Sequence, residues 1–312
     1  MYNMDRLWEA AAEKGNVCVG LDTAADYVPP RERARAASGA EAVLAFNRAI
    51  IDATIDAAAC YKVQIACYEE AGLAGLRTYA ETLSYIRARG ALVIADCKRG
   101  DISDTARRYA KAHFDGDFEA DFVTLSPYMG MDTIEPWLSW AETKGKGAFV
   151  LLLTSNPGMR DFEFLTINQD ATGRGGRRLY DVVGEKLSII ARRHQGVHGY
   201  GAFGAVAGCT DRNEAARIRE KYDSLFFLIP GYGAQGGAAD DAAALLRDGN
   251  GGVVNASRSI LCAWTEKAGS ETGNALEDAD NAFAARAARE AVIAMRGAIR
   301  AAAAVDSAGN GP

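Results

Sequence analysis

The chain has 312 residues, 49% hydrophobic and 24% charged, with 35 Lys and Arg against 41 Asp and Glu for a net charge of -6. This composition is that of a folded globular protein and excludes disordered, collagen-like and fibrous chains. The acidic balance argues against a general affinity for nucleic acid, so any bound anion must be held by local groups.

Met1 to Lys14 mixes Asp5, Arg6, Glu9 and Glu13 with Leu7 and Trp8, the pattern of an amphipathic helix and not of a signal peptide. Apolar runs such as Gly147 to Leu153 fall far short of the ~20 residues of a membrane span, and a cytoplasmic protein is expected. Eight short runs rich in Val, Ile, Leu or Phe follow at 17–22, 60–66, 91–97, 121–126, 147–154, 201–208, 225–230 and 252–256. They are continuously apolar, as strands covered on both faces are. Helical periodicity fills the intervals, for example Glu41 to Ala58 and Leu76 to Arg89. Eight repeats of strand then helix predict one (β/α)8 barrel, a TIM barrel, spanning 1–312 with no linker. A last helix is expected over about Ala282 to Ala304, and Asp306 to Pro312 reads as a flexible polar tail. Residues 155–176, rich in Gly and carrying Arg160 and Arg174, form a long loop after the fifth strand of the kind that binds or covers ligands.

Six cysteines form no CxxC pair and read as reduced core residues; with His113, His194 and His198 they assemble no metal cluster, so no metal is expected. Binding groups of a parallel barrel gather at the carboxyl ends of its strands. There the first run ends in Gly20-Leu21-Asp22, the second carries Lys62, and the third ends in Asp96-Cys97-Lys98-Arg99-Gly100-Asp101. Period two puts Leu92, Ile94, Asp96 and Lys98 on one face. Lys62, Asp96, Lys98 and Asp101 can form either a charged reaction centre or a structural ion-pair network. Ser103 is expected to cap the helix that follows.

The seventh run leads into Pro230-Gly231-Tyr232-Gly233-Ala234-Gln235-Gly236-Gly237 and the eighth into Asn255-Ala256-Ser257-Arg258. Glycine amides, Gln235 and the Arg258 fork suit a phosphate, which barrels commonly hold after strands seven and eight; two tight turns and a surface arginine are the plain alternative. Gly231, Gly233 and Gly236 also spell GxGxxG. A dinucleotide fold needs further strands, however, and the 54 residues after Arg258 are dominated by one helix.

Asp96-x-Lys98-x-x-Asp101-Ile102-x-x-Thr105 resembles the signature of the orotidine 5'-phosphate decarboxylase family. It is joined in order by Gly20-Leu21-Asp22, Lys62, Thr154-Ser155-Asn156-Pro157-Gly158, Pro230-Gly231-x-Gly233-Ala234-Gln235-Gly236 and Arg258, so the resemblance covers residues 20–258 and is nearest to the longer bacterial group. It implies decarboxylation of orotidine 5'-monophosphate to UMP and CO2 in de novo pyrimidine synthesis, by a homodimer without metal or organic cofactor. It assigns Lys62, Asp96, Lys98 and Asp101 to a charged tetrad with Lys98 as proton donor. Asp101 and Thr105 would reach the neighbouring subunit's site. Asp22 would bind ribose hydroxyls, Ser155 the pyrimidine, and Gln235 and Arg258 the phosphate, with Pro230 and Ser257 also expected to bind substrate. Tyr232 departs from the smaller aliphatic residue expected in that loop. Two other functions fit parts of the pattern: a Mg²⁺-dependent sugar-phosphate decarboxylase or aldolase on a related barrel, which resembles the chain around Asp-x-Lys-x-x-Asp but lacks Ile-x-x-Thr, and a non-catalytic nucleotide-phosphate binder.

Overall fold

The computed structural model describes residues 1–167, 176–209, 211–233, 237–269 and 275–309. Eight parallel strands close into a barrel: β1 (Val17–Gly20), β2 (Cys60–Gln64), β3 (Leu92–Arg99), β4 (Phe122–Leu125), β5 (Gly147–Leu153), β8 (Phe203–Ala207), β9 (Phe227–Ile229) and β10 (Gly252–Ala256). The two remaining strands, β6 (Thr166–Ile167) and β7 (Arg177–Arg178), make an antiparallel ribbon inside the long loop after β5. All eight expected strands are present, and the chain is a (β/α)8 TIM barrel.

The alternation of strand side chains divides the core in two. Val17, Val19, Val93, Ala95, Cys97, Val123 and Leu125 pack outward against the helices. Cys18, Cys60, Leu92, Ile94, Phe122, Phe149, Phe226 and Val253 fill the barrel interior. Helix Asn3–Lys14 closes the amino-terminal end, because Met4, Leu7 and Ala11 on one face of it join that inner cluster. The opposite end is left as the mouth.

Helix Gly39–Thr54 shows how local sequence sets the surrounding layer. Ser38 Oγ accepts the amide of Glu41 at 3.2 Å, which starts the helix two residues earlier than the periodicity alone suggests. Val43, Phe46, Ile50 and Ile51 form its buried face. The last helix, Asn281–Gly309, runs five residues past the expected end at Ala304, so the backbone of 306–309 continues it after the alanine-rich run 301–304. Residues 310–312 lie outside the described residues. All six cysteines are unpaired.

The chain leaves β3 irregularly. Ala95 pairs with Val123 and Arg99 with Leu125, so three residues of β3, Asp96, Cys97 and Lys98, stand opposite the single Thr124 of β4. Lys98 adopts a φ of 43°, rare for a residue with a side chain. Helix Ser103–Phe114 begins just beyond, and here the expected serine cap is corrected. The capping position is Ile102, which makes no side-chain cap bond, and Ser103 is the first helical residue, at φ 44°. Asp101 turns the chain instead, its Oδ1 accepting the amide of Ile102 at 2.8 Å.

Candidate active site

A cavity of about 570 Å³ opens at the carboxyl ends of the strands. Its floor is one ring of inward residues contributed in strand order. Lys62 (β2), Asp96 (β3) and Thr124 (β4) supply a charged half, and Leu151 (β5), Val206 (β8) and Leu228 (β9) supply an apolar half. Asn255 (β10) closes the ring beside Gly20. A Cβ at Gly20 would come within 2.0 Å of Ser257 Oγ, which explains the glycine of the Gly-Leu-Asp turn.

Asp96 is the centre of the charged half. Its Oδ1 receives hydrogen bonds from Lys98 Nζ at 2.7 Å and Thr124 Oγ1 at 2.9 Å. Its Oδ2 receives them from Lys62 Nζ at 2.9 Å and Gln64 Nε2 at 3.0 Å. Four donors use all the acceptor directions that a carboxylate offers. Lys62 also donates to Asp22 Oδ1 at 2.9 Å, and Ser257 Oγ donates to Asp22 Oδ2 at 2.9 Å. The result is an alternating row, Asp22, Lys62, Asp96, Lys98, whose formal charges cancel.

Burial graduates along this row. The Lys62 and Asp96 side chains are 5% and 8% exposed, whereas those of Asp22 and Lys98 are 30% and 47% exposed. Burial by itself raises the pKa of Asp96, but the Lys62 and Lys98 ammonium groups outweigh it and hold the carboxyl well below the usual range. For Lys62, burial acts to lower the pKa, and the carboxylates of Asp22 and Asp96 overcome it, so the ammonium is held above its usual range. Both inner groups therefore stay ionised at neutral pH. The outer, half-exposed ammonium of Lys98 is the one that can approach a ligand.

The other end of the cavity carries an arginine. Arg258 opens the short helix Arg258–Leu261 after β10, and Pro230, Gly231 and Tyr232 line the turn after β9. Gly231 at φ 104° and Gly233 at φ 71° account for two glycines of that turn. Because the strand before it, β9, belongs to a closed barrel with β8 and β10 as its neighbours, the GxGxxG spacing does not belong to a dinucleotide fold. Tyr232 packs its ring against the core while lining the cavity, and burial raises its pKa. Between the two ends, Thr154, Ser155 and Asn156 line one wall; Glu163 accepts from the amide and the hydroxyl of Thr154, both at 2.8 Å, and so fastens that wall to the long loop.

Of the residues singled out in the sequence, Asp22, Lys62, Asp96, Lys98, Ser155, Pro230, Ser257 and Arg258 converge on this cavity. Asp101 and Thr105 do not. Asp101 lies on the rim between β3 and the following helix, and Thr105 is exposed in the first turn of that helix. The row of four is thus completed within the chain by Asp22 and not by Asp101. Gln235 lies outside the described residues. Sequence reading gave no role to Gln64, Thr124 or Asn255. Thr124 and Asn255 are each a lone polar residue at an inward, period-two position of an otherwise apolar strand, and Gln64 shares the inward face of β2 with Lys62, which are the signals that could have found them. The Oδ1 atom of Asn255 is buried without a hydrogen-bond partner among the described residues. No group of three or more metal-ligating side chains occurs among the described residues, and no helix among them is long and apolar enough to cross a membrane.

These features can be set beside known proteins. The family model described as orotidine 5'-phosphate decarboxylase / HUMPS family matches residues 15–272. The chain is 51% identical over 296 residues to the orotidine 5'-phosphate decarboxylase of Clostridium perfringens, covering 95% of this chain and 97% of that one. The solved OMP decarboxylase of Leishmania donovani is 32% identical with a TM-score of 0.68, covering 96% of this chain and 100% of the other. The UMP synthase of the same organism is 33% identical with a TM-score of 0.69; the match covers 95% of this chain but only 57% of the longer synthase.

The depressed pKa of Asp96 has a consequence for stability. Its ion pairs contribute fully above the unfolded-state pKa of ~3.9 and are lost only as pH falls from there through the lower native value; the Lys62 contribution is lost only as pH rises above ~10.4. Asp96→Asn leaves Lys62 buried with one carboxylate, and is expected to cost roughly 3 kcal/mol. Urea unfolding should show that gap constant from about pH 5 to 8 and narrowing only below ~3.9. A gap that already closes between pH 6 and 5 would contradict this placement of the charges. Taken with the match over most of its length, the barrel and its charged floor identify the chain as a member of the orotidine 5'-phosphate decarboxylase / HUMPS family.

Proposed function

We infer that the chain decarboxylates orotidine 5'-monophosphate to UMP and CO2 in pyrimidine synthesis, without a cofactor and with Lys98 as proton donor. The observation that carries this reading is an ionised Asp96 fixed between Lys62 and Lys98 on the floor of a cavity whose other end presents Arg258. The names of the relatives support the substrate.

In this reading Arg258 and Gln235 hold the phosphate, with Pro230 and Ser257 lining that end. Asp22 meets ribose hydroxyls, and Ser155 the pyrimidine edge. The substrate carboxylate is brought toward Asp96. Two such charges at about 4 Å repel by ~4 kcal/mol at an effective dielectric of about 20. Lys62, Gln64 and Thr124 hold Asp96, so it does not retreat. Breaking the C6–carboxylate bond leaves its electron pair on C6 and releases neutral CO2, which removes the repulsion. The apolar half of the floor, Leu151, Val206 and Leu228, suits an uncharged product. Lys98 Nζ attracts the carbanion as it forms and then gives C6 its proton, an interaction stronger in the transition state than in the ground state. Binding at the distant phosphate offsets the cost of juxtaposing two anions.

The rim supports a homodimer. Asp101 and Thr105 stand there beside exposed Ile102, and exposed Tyr128 and Met129 lie on the adjacent loop after β4. In the dimer we infer, these apolar side chains meet a second copy, and Asp101 and Thr105 complete that copy's site. Unpaired cysteines throughout support a cytoplasmic location.

The direct test is loss of orotidine 5'-monophosphate absorbance, with and without chelator. The wild-type chain is expected to turn over equally in both, and Lys98→Ala to lose at least a thousandfold in kcat while still binding UMP. Abolition by chelator would favour a Mg²⁺-dependent sugar-phosphate enzyme, and near-normal kcat in Lys98→Ala would remove that residue from the donor role. A second test mixes Lys98→Ala and Asp101→Ala chains. Partial recovery of activity is expected if each site draws Asp101 from the partner; no recovery in demonstrated mixed dimers would contradict it.

A further inference from the structure

We propose that Thr124 is a positioning residue for the decarboxylation step, acting by holding both the Asp96 carboxylate and the distorted backbone that carries Lys98. The inference rests on the functional reading above and adds a residue with no assigned role.

The argument begins with the ladder between β3 and β4. Three residues of β3 face one of β4, so the amides of Cys97 and Lys98 are deprived of the carbonyl partners that a regular parallel ladder would supply. Buried backbone donors must be satisfied in some other way. Here one side-chain oxygen serves both: Thr124 Oγ1 accepts from the amide of Cys97 at 3.0 Å and from that of Lys98 at 2.8 Å. Its own proton goes to Asp96 Oδ1 at 2.9 Å. The hydroxyl is fully used, and Thr124 is 1% exposed.

The residue so held is not in a relaxed conformation. Lys98 sits at φ 43°, and unusual backbone of this kind persists only where its surroundings enforce it. From that backbone the Lys98 side chain turns back to place Nζ 2.7 Å from the same Asp96 oxygen that Thr124 touches. A single hydroxyl therefore fixes the carboxylate and the ammonium relative to one another, through the side chain of one and the main chain of the other. Thr124 also stands at the seam of the cavity floor, where the charged half meets Leu151. All three of these hydrogen bonds of Thr124 go to β3, so its effect belongs to the reacting end and not to phosphate binding.

Thr124→Val keeps the shape and removes the hydroxyl, Thr124→Ser keeps the hydroxyl, and Thr124→Cys keeps the size with a weak donor and acceptor. In the orotidine 5'-monophosphate absorbance assay, Thr124→Val is expected to lose about a hundredfold in kcat, with KM and the Kd for UMP within threefold of wild type. Thr124→Ser should restore kcat to within threefold, and Thr124→Cys should lose about tenfold. Thermal melting of each variant shows whether it folds. If the valine chain does not fold, the serine and cysteine variants decide: a tenfold separation in kcat at equal KM supports the proposal, and equal kcat overturns it. A valine variant with kcat within threefold, or one weakened only in KM, also overturns it while leaving the decarboxylase reading intact. An inactive wild-type chain overturns both, since there would then be no such step to position.

Discussion

The structure turns on a carboxylate that has been denied the option of neutralising itself. Asp96 is almost completely buried, a situation that ordinarily drives a carboxyl group toward its protonated form. Two ammonium groups and two neutral donors reverse that tendency. Once the charge is locked there, the rest of the site follows. Lys62 must remain charged to balance it, Asp22 must balance the remainder of Lys62, and of the two ammonium groups only that of Lys98 is open enough to serve a ligand. Buried ionic rows of this kind contribute little to net stability compared with apolar packing. Their value lies in a preorganised field, which is the property that decarboxylation of an anionic substrate requires.

The barrel supplies the means to build such a row. Period-two alternation on adjacent parallel strands points Lys62, Gln64 and Asp96 into the barrel, with Gln64 opposite Asp96 and Lys62 opposite Ile94, above the apolar layer of the pair Cys60 and Leu92. The helix at the amino-terminal end closes that layer, and the ring faces the cavity at the mouth. A regular strand would then carry Lys98 onward along the ladder. The extra residues in β3 turn it back over Asp96 instead. Local irregularity on a rigid frame thus sets the distance between the acid and the amine.

Much of this was legible in the residues. The eight strands and their order could be read because each is a short apolar run followed by a helical period, and the long final helix because its alanines are strong helix formers. Asp22, Lys62, Asp96, Lys98 and Arg258 were identifiable as polar residues at strand ends. What was not legible has one common cause: alternation describes a regular strand, and β3 ceases to be regular at Asp96. The bulge diverts Asp101 to the rim, replaces a Ser103 cap by an Asp101 turn, and gives Thr124 work that no motif announces. Gln64 and Asn255 were visible as polar breaks in apolar runs, but their partners depend on the register between neighbouring strands, which spacing alone does not contain.

The central claim is that Asp96 remains an anion in the empty site, and carbon NMR of its side-chain carboxyl group, assigned by comparison with Asp96→Asn, measures this directly. On this account the Asp96 signal keeps its carboxylate position as pH is lowered from 7 through the ordinary aspartate range near ~3.9. A titration centred at or above that value would show an ordinary or protonated acid, and the electrostatic basis of the site would be lost.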